Sequence, residues 1–159
     1  MDELQPKRVS DSKAEQIQIV LNGHINGYGR LFGGQLVEWI DIVAAVVARR
    51  HCQREVTTVT IDNLQFKHPV HANSTMLLAG KMTYVGRTSM EIKVESFVER
   101  LSGEKKLVNT AYLVMVALDE SHRPTEVPRL ILETDEERAE WEAGKRRQEL
   151  RKQRAIEQY

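Results

Sequence analysis

The sequence predicts an α+β fold in which an antiparallel β-sheet curls around one long central α-helix. Three observations predict it. Apolar residues recur at three- and four-residue spacings through one stretch, roughly Gly33 to Arg50. Beyond it the period changes to two, through four strand-like segments joined by short turns. One strand precedes the helix, so the four later strands are not separated by helices as in an alternating α/β pattern. At 159 residues the chain fits one domain with a sizeable core.

Residues 1–14 are polar and form a loosely held N-terminal segment. Ile17-Gln18-Ile19-Val20-Leu21 reads as a short first strand. Asn22 to Arg30 holds three glycines and two asparagines and is a loop. In the helix, Phe32, Leu36, Trp39, Ile40, Val43 and Val47 make one apolar stripe. Arg49, Arg50 and His51 close it with charges that suit a helix C-terminus. Val56 to Phe66 is a strand whose alternation slips near Asp62-Asn63, which predicts a bulge there. Thr75 to Val85 follows, with Met76, Leu78, Met82 and Tyr84 on one face; Met76, Met82 and Met90 read as core filler. Ser89 to Arg100 alternates through Met90, Ile92, Val94 and Val98, and Leu101-Ser102-Gly103-Glu104 is a turn. Leu107 to Leu118 is apolar on both faces, as a central or interface strand would be. The domain thus spans residues 15–132. Residues 133–159 are acidic first and basic later, and read as a solvated helix or partly disordered tail, with Trp141 as its one candidate for an oligomer contact.

Composition narrows the function. Lysine plus arginine equals aspartate plus glutamate at 23 each, so nothing points to nucleic acid or an anionic membrane. The single cysteine, Cys52, excludes an internal disulfide and suits a reducing compartment. Met1 to Lys7 holds no signal-peptide core, and the run Ile42 to Ala48 is too short to span a bilayer. A cytoplasmic protein is expected.

The chemistry-bearing residue is Asp41. It follows Val37, Trp39 and Ile40 in the apolar half of the helix, where it is the only carboxylate. A buried carboxylate is costly unless paired, which makes Asp41 the candidate base or nucleophile. Gly33 and Gly34 open the same helix, and their bare backbone N–H groups suit a developing negative charge. Asn26, on the loop before it, has an amide that can orient water or bind a carbonyl. A lone helical Asp can also be a structural group that bonds a nearby loop. His68 and His71 lack acidic or cysteine neighbours, so no metal is expected. His24 is the one histidine near the helix start that dehydratase or isomerase chemistry could use, and it lies before Asn26.

The ordered set Asn26-Gly27-Tyr28-Gly29-Arg30-Leu31-Phe32-Gly33-Gly34 followed by Asp41 resembles the hotdog-fold acyl-coenzyme A thioesterases of the YciA-like and brain acyl-CoA hydrolase group. Phe66-Lys67-His68-Pro69-Val70, Val85-Gly86-Arg87-Thr88-Ser89 and Val127-Pro128-Arg129 extend the resemblance from about Ile17 to Leu130. Tyr28 stands where the family often has a second Asn, and Asn73-Ser74 where it usually has Gly-Asp. The resemblance implies a hotdog fold and hydrolysis of acyl-CoA to fatty acid and coenzyme A without a cofactor. It implies Asp41 as base or nucleophile and the Gly33-Gly34 N–H groups as oxyanion hole. It also implies a homodimer, or a trimer of dimers, with Asn26 and Asp41 of one site drawn from opposite subunits. Gly86, Arg87, Thr88 and Ser89 are then candidate coenzyme A contacts, their basic and hydroxyl groups suiting phosphate or pantetheine. The alternative on the same fold is a non-catalytic acyl-CoA-binding regulator; no helix-turn-helix pattern or basic patch accompanies it here.

Overall fold

The computed structural model describes residues 4–62 and 64–158. In chain order it contains β1 (Lys7–Arg8), β2 (Ala14–Ile19), α1 (Gly33–Cys52), β3 (Glu55–Asp62), β4 (Thr75–Val85), β5 (Ser89–Glu99), β6 (Lys105–Leu118), β7 (Leu130–Ile131) and α2 (Asp135–Glu157). Among the described residues, five strands form one antiparallel sheet in the order β2-β4-β5-β6-β3. The doubly apolar β6 lies inside it, between β5 and β3. β1 and β7 form a separate parallel pair of two residues each.

α1 lies across the concave face because its stripe is apolar. Leu36, Trp39, Ile40, Val43, Ala44, Val47 and Ala48 are buried against Met76, Leu78, Met82, Met90, Ile92, Val94, Leu113 and Met115. Each large side chain removed from water in this way contributes about 1.5–3 kcal/mol. Gly80 sets the closest approach, since a Cβ there would lie 2.8 Å from Val43 Cγ1 and 3.0 Å from Val47 Cγ2. Gln53, at φ 54°, ends the helix and donates its N–H to Arg49 O at 2.7 Å.

Several expectations change. Residues 4–14, expected to be loosely held, are docked: Val9 and Ser12 are buried, and Lys7 and Arg8 pair with Leu130 and Ile131. The first strand is Ala14–Ile19, because Val20 leaves the ladder to exchange hydrogen bonds with Ser74 and Asn73. The irregularity of β3 lies between Thr58 and Thr60; Asn63 is outside the described residues. A register shift between Met82 and Tyr84 turns Tyr84 to the opposite face from Met82, where its ring meets Trp141 of α2. His51 does not close α1 as a solvated cation: it is fully buried, with Nε2 2.9 Å from Pro128 O. Desolvation lowers its pKa below the ordinary 6.5, as do Lys7 and Arg129 more weakly, against the opposing pull of the Pro128 hydrogen bond and Asp11.

The charged tail is one continuous helix lying on the outer face of the sheet. Thr134 caps α2 by accepting from Glu137 N at 3.0 Å, and three acidic residues fill the first turn. Beside the Trp141–Tyr84 contact, its anchors are ionic. Glu91 of β5 points away from α1 and is 2% exposed. It accepts Arg147 in a bidentate pair at 2.7 and 3.0 Å, Thr83 Oγ1 at 2.6 Å, and Arg151, which also pairs with Asp62. Burial alone would push Glu91 up, but hydrogen bonds from Arg147, Thr83 and Arg151 outweigh it and hold its carboxyl below the usual value. Arg147 also stacks on Tyr112 at 3.7 Å, and Lys93 pairs with Glu140 at 2.6 Å. Gly144 lets the helix settle, as a Cβ there would lie 2.7 Å from Tyr84 Cβ and 2.9 Å from Glu91 Oε1.

Candidate active site

The loop before α1 is tied to the segment leading into β4. Val20 N donates to Ser74 O at 2.9 Å, Leu31 N to Val70 O at 2.6 Å, and Arg30 bridges His71. Within it, Asn26 Oδ1 accepts from Tyr28 N at 2.9 Å and Arg30 N at 3.2 Å, while Gly29 takes φ 72° to reverse the chain. The oxygen of the amide is therefore spent on the loop itself. What Asn26 has left to offer a substrate is the Nδ2 donor, so it fits binding of a carbonyl oxygen better than activation of water.

Phe32 N donates to His24 O at 2.8 Å and fixes the entry to α1. Among the described residues no acceptor meets the N–H groups of Gly33 and Gly34, the first two of the helix. Two exposed rings flank them. A Cβ on Gly34 would fall 2.7 Å from Phe32 Cε1, and one on Gly33 would fall 3.3 Å from Phe66 Cζ. His24 is structural: Nδ1 accepts from Leu21 N at 3.0 Å, and the ring packs edge-on to Trp39 at 4.9 Å. His71 approaches Gly29 O at 3.4 Å, and no group of three His, Cys, Asp or Glu among the described residues is placed to hold a metal.

Asp41 departs from the sequence reading, for its side chain is half-buried in the single chain. One residue past Ile40 is about 100° around the helix, which carries Asp41 off the buried stripe. It turns toward β3, where Thr58 Oγ1 donates to Asp41 Oδ1 at 2.7 Å. Sequence reasoning missed Thr58. A threonine on a strand rich in them carries no mark of its own, and only the helix–strand contact singles it out.

The Gly86-Arg87-Thr88-Ser89 turn lies at the other end of the sheet. β4 begins at Thr75, beside Ile19 and the Asn26 loop, and ends at Val85, opposite Met90. The turn is held by Gly86 N to Ser89 O at 2.9 Å, Val127 N to Arg87 O at 3.0 Å, Ala117 N to Thr88 O at 3.1 Å, and the Arg129 guanidinium on Gly86 O. One chain does not bring the turn to the Asn26 loop. It also leaves Asp41 about 12 Å along the axis from Gly33.

The thioesterase superfamily pattern matches residues 28–102. The chain is 38% identical over 128 residues to the uncharacterized acyl-CoA thioester hydrolase YkhA of Bacillus subtilis, covering 80% of this chain and 74% of that one. It spans only 38% of the rat cytosolic acyl coenzyme A thioester hydrolase, at 30% identity over 90% of this chain. A crystal structure of an apo-hexameric acyl-CoA thioesterase superposes with TM-score 0.90 at 37% identity, covering 96% of this chain and 98% of that one. The acyl-CoA hydrolase of Staphylococcus aureus, solved with butyryl coenzyme A, coenzyme A and coenzyme A disulfide, gives TM-score 0.90 at 31% identity over 96% and 93%. Three further structures of that enzyme carry alanine for an asparagine, for an aspartate fifteen positions later, and for a threonine seventeen positions after that. By sequence and by fold, this chain belongs to the hotdog-fold acyl-CoA thioesterases of the thioesterase superfamily.

Proposed function

We propose that this chain hydrolyses acyl-CoA thioesters with Asp41 as general base. The carrying observation is the 2.7 Å bond from Thr58 to Asp41. Asn26, Asp41 and Thr58 stand at the same intervals as the asparagine, aspartate and threonine replaced in the Staphylococcus aureus enzyme. Thr58 occupies Oδ1 and fixes the carboxylate, leaving Oδ2 to take a proton from water. The water oxygen bonds to the thioester carbon, and the carbonyl oxygen becomes an anion. The N–H groups of Gly33 or Gly34 and the Nδ2 of Asn26 are its donors, helped by the helix dipole. The C–S bond then breaks, the thiolate takes the proton from Asp41, and a carboxylic acid and coenzyme A leave. These steps draw on no metal or redox cofactor.

Reacting atoms lie about 3 Å apart, so donors at the start of α1 and a base about 12 Å along it serve one thioester poorly from a single chain. A two-fold dimer pairs the loop of one chain with the helix of the other. The hexameric relative supports a trimer of such dimers, and the relative named as cytosolic supports a cytoplasmic setting. No helix among the described residues is long and apolar enough to cross a membrane.

Thiol release from a panel of acyl-CoAs tests the activity. Asp41→Asn is expected to lower turnover by about two to four orders of magnitude with coenzyme A binding retained. Near-normal turnover would remove Asp41 from the mechanism. Asn26→Ala and Asp41→Ala chains, unfolded together and refolded, should regain about a quarter of wild-type activity, since half the dimers are mixed and one of their two sites is intact. No recovery in dimers shown by mass to be mixed would overturn the shared site and leave the activity standing.

A further inference from the structure

We propose that Arg151 of α2 is a positioning residue for hydrolysis: it grips Asp62, holds the bulged end of β3, and thereby keeps Thr58 on Asp41. This rests on the reading of Asp41 as general base and adds the outer helix to the machinery of the inner site.

β3 serves both faces of the sheet. Thr58 pairs with Met115, which is buried under α1, and donates inward to Asp41. Asp62 pairs with Tyr112, on whose ring Arg147 of α2 stacks, and accepts Arg151 on the outer face. In a regular strand, side chains an even number of residues apart share one face, so Thr58 and Asp62 would point the same way. Val59 is the extra residue: Thr58 pairs with Met115 and Thr60 with Val114, the very next residue back along β6. That bulge lets one strand meet Asp41 inside and Arg151 outside.

The bulge also weakens the strand that carries it. Beyond it only three ladder pairs remain, Thr60 with Val114, Ile61 with Leu113 and Asp62 with Tyr112. Among the described residues β3 is an edge strand, with β6 as its one neighbour. Packing from outside adds little, for a cavity of about 220 Å³ lies between Val59 and Thr60 and the α2 residues Arg151, Lys152 and Ala155. Charge does the holding. Asp62 is 5% exposed; Arg151 binds it through Nε and binds Glu91 of β5 through Nη2. Arg154 stands further off, at 3.7 Å. One guanidinium thus ties the edge strand to β5 across β6, with the fixed fork that a lysine lacks. Thr58 is the last paired residue before the bulge. If the end of β3 lifts, Thr58 becomes the fraying end of the ladder, and Asp41 loses the donor that fixes it. Displacing a catalytic group by about 1 Å can cost about a hundredfold in rate.

The test is a double-mutant cycle in kcat and KM for one acyl-CoA, with wild type, Arg151→Ala, Thr58→Val and the pair combined, alongside hydrogen exchange of the β3 amides. Arg151→Ala is expected to lower kcat about tenfold and to keep KM within about twofold. In the Thr58→Val background, itself slowed, Arg151→Ala should lower kcat no further, because the contact it acts through is already gone. Arg151→Lys, which can still grip Asp62 alone, should recover part of the loss. Asp62→Asn weakens the same contact from the strand side and should match Arg151→Ala; it carries the cycle if Arg151→Ala does not fold. Amides of residues 58–62 should exchange faster in Arg151→Ala while those of β4 keep their protection. An unchanged kcat would overturn the proposal. So would losses that multiply in the double mutant, since Arg151 would then act through something other than Thr58. A wild type that hydrolyses no acyl-CoA, with residues 58–62 loosened in Arg151→Ala, would defeat the hydrolase reading and uphold the grip on β3.

Discussion

α1 buries Ile40, Ala44, Val47 and Ala48 completely against the inner face of the sheet, whereas α2, on the outer face, buries only Gly144 among its described residues. Both helices pack on β4 and β5, yet α1 is held by apolar area and α2, apart from Trp141 on Tyr84, by carboxylates that the strands place under its arginines. Apolar packing is short-ranged and non-directional, so α1 cannot move without opening the core. An ionic anchor has another option: if the helix lifts, water solvates both partners and recovers much of what the contact gave. α2 is therefore expected to come away while the rest of the fold persists, and α1 is not.

The sharpest test of that difference is a cavity under α1. Ile40→Ala removes a fully buried side chain and is expected to cost about 2–5 kcal/mol in global stability, measured by denaturant unfolding. Backbone amides of α1, β4 and β5 should lose protection together in hydrogen exchange. A smaller loss, confined to α1, would mean that the inner core is not the cooperative unit.

Glu91→Ala attacks the other helix. A buried pair broken in a rigid core costs about 3–5 kcal/mol. Here the helix can lift and hydrate Arg147 and Arg151, so the expected global loss is smaller, about 1–3 kcal/mol. The local effect should be larger: α2 amides exchange faster while those of α1 keep their protection. If the two helices lose protection equally, they form one unit and the comparison fails.

How much of this was legible follows the same division. α1 could be read because its apolar period is written in consecutive residues, and the Gly33-Gly34 pair and Asp41 lie in one contiguous motif. The half-exposure of Asp41 was not legible, because one step past Ile40 turns it off the buried stripe and no spacing rule fixes where the stripe ends. Thr58 was hidden for a related reason: its partner is seventeen residues away on another element. The outer face was the least legible. Glu91, Lys93 and Glu95 alternate with Met90, Ile92 and Val94 as a solvated face would, yet α2 covers Glu91. Only long-range pairing with Arg147 and Arg151 reveals it, and local pattern carries no information on that choice. Tyr84 went to the wrong face because a register shift between Met82 and Tyr84 breaks the strict alternation.

Acid should resolve the two regions by pH alone, with the smallest effect expected here. His51 is buried near the end of α1, and its Nε2–H donates to Pro128 O, while Nδ1 has no partner among the described residues. Its folded pKa is lowered, chiefly by desolvation, so below the ordinary 6.5 the unfolded chain takes up the proton first. The stability His51 contributes is therefore present above pH 6.5 and is lost as pH falls through the lowered folded value. The folded pKa of Glu91 is lowered too, because hydrogen bonds from Arg147, Thr83 and Arg151 outweigh its burial. Its contribution is present above its ordinary 4.5 and is lost as pH falls through its own lowered value, a more acid window. Stability measured against pH should thus decline in two steps, the first tracking the strap from α1 to Pro128 and the second tracking α2. His51→Gln, which can still donate an amide N–H toward Pro128, should flatten the first step and leave the second. If the first step survives that substitution, His51 is not its source, and the end of α1 is not the acid-sensitive point of the inner face.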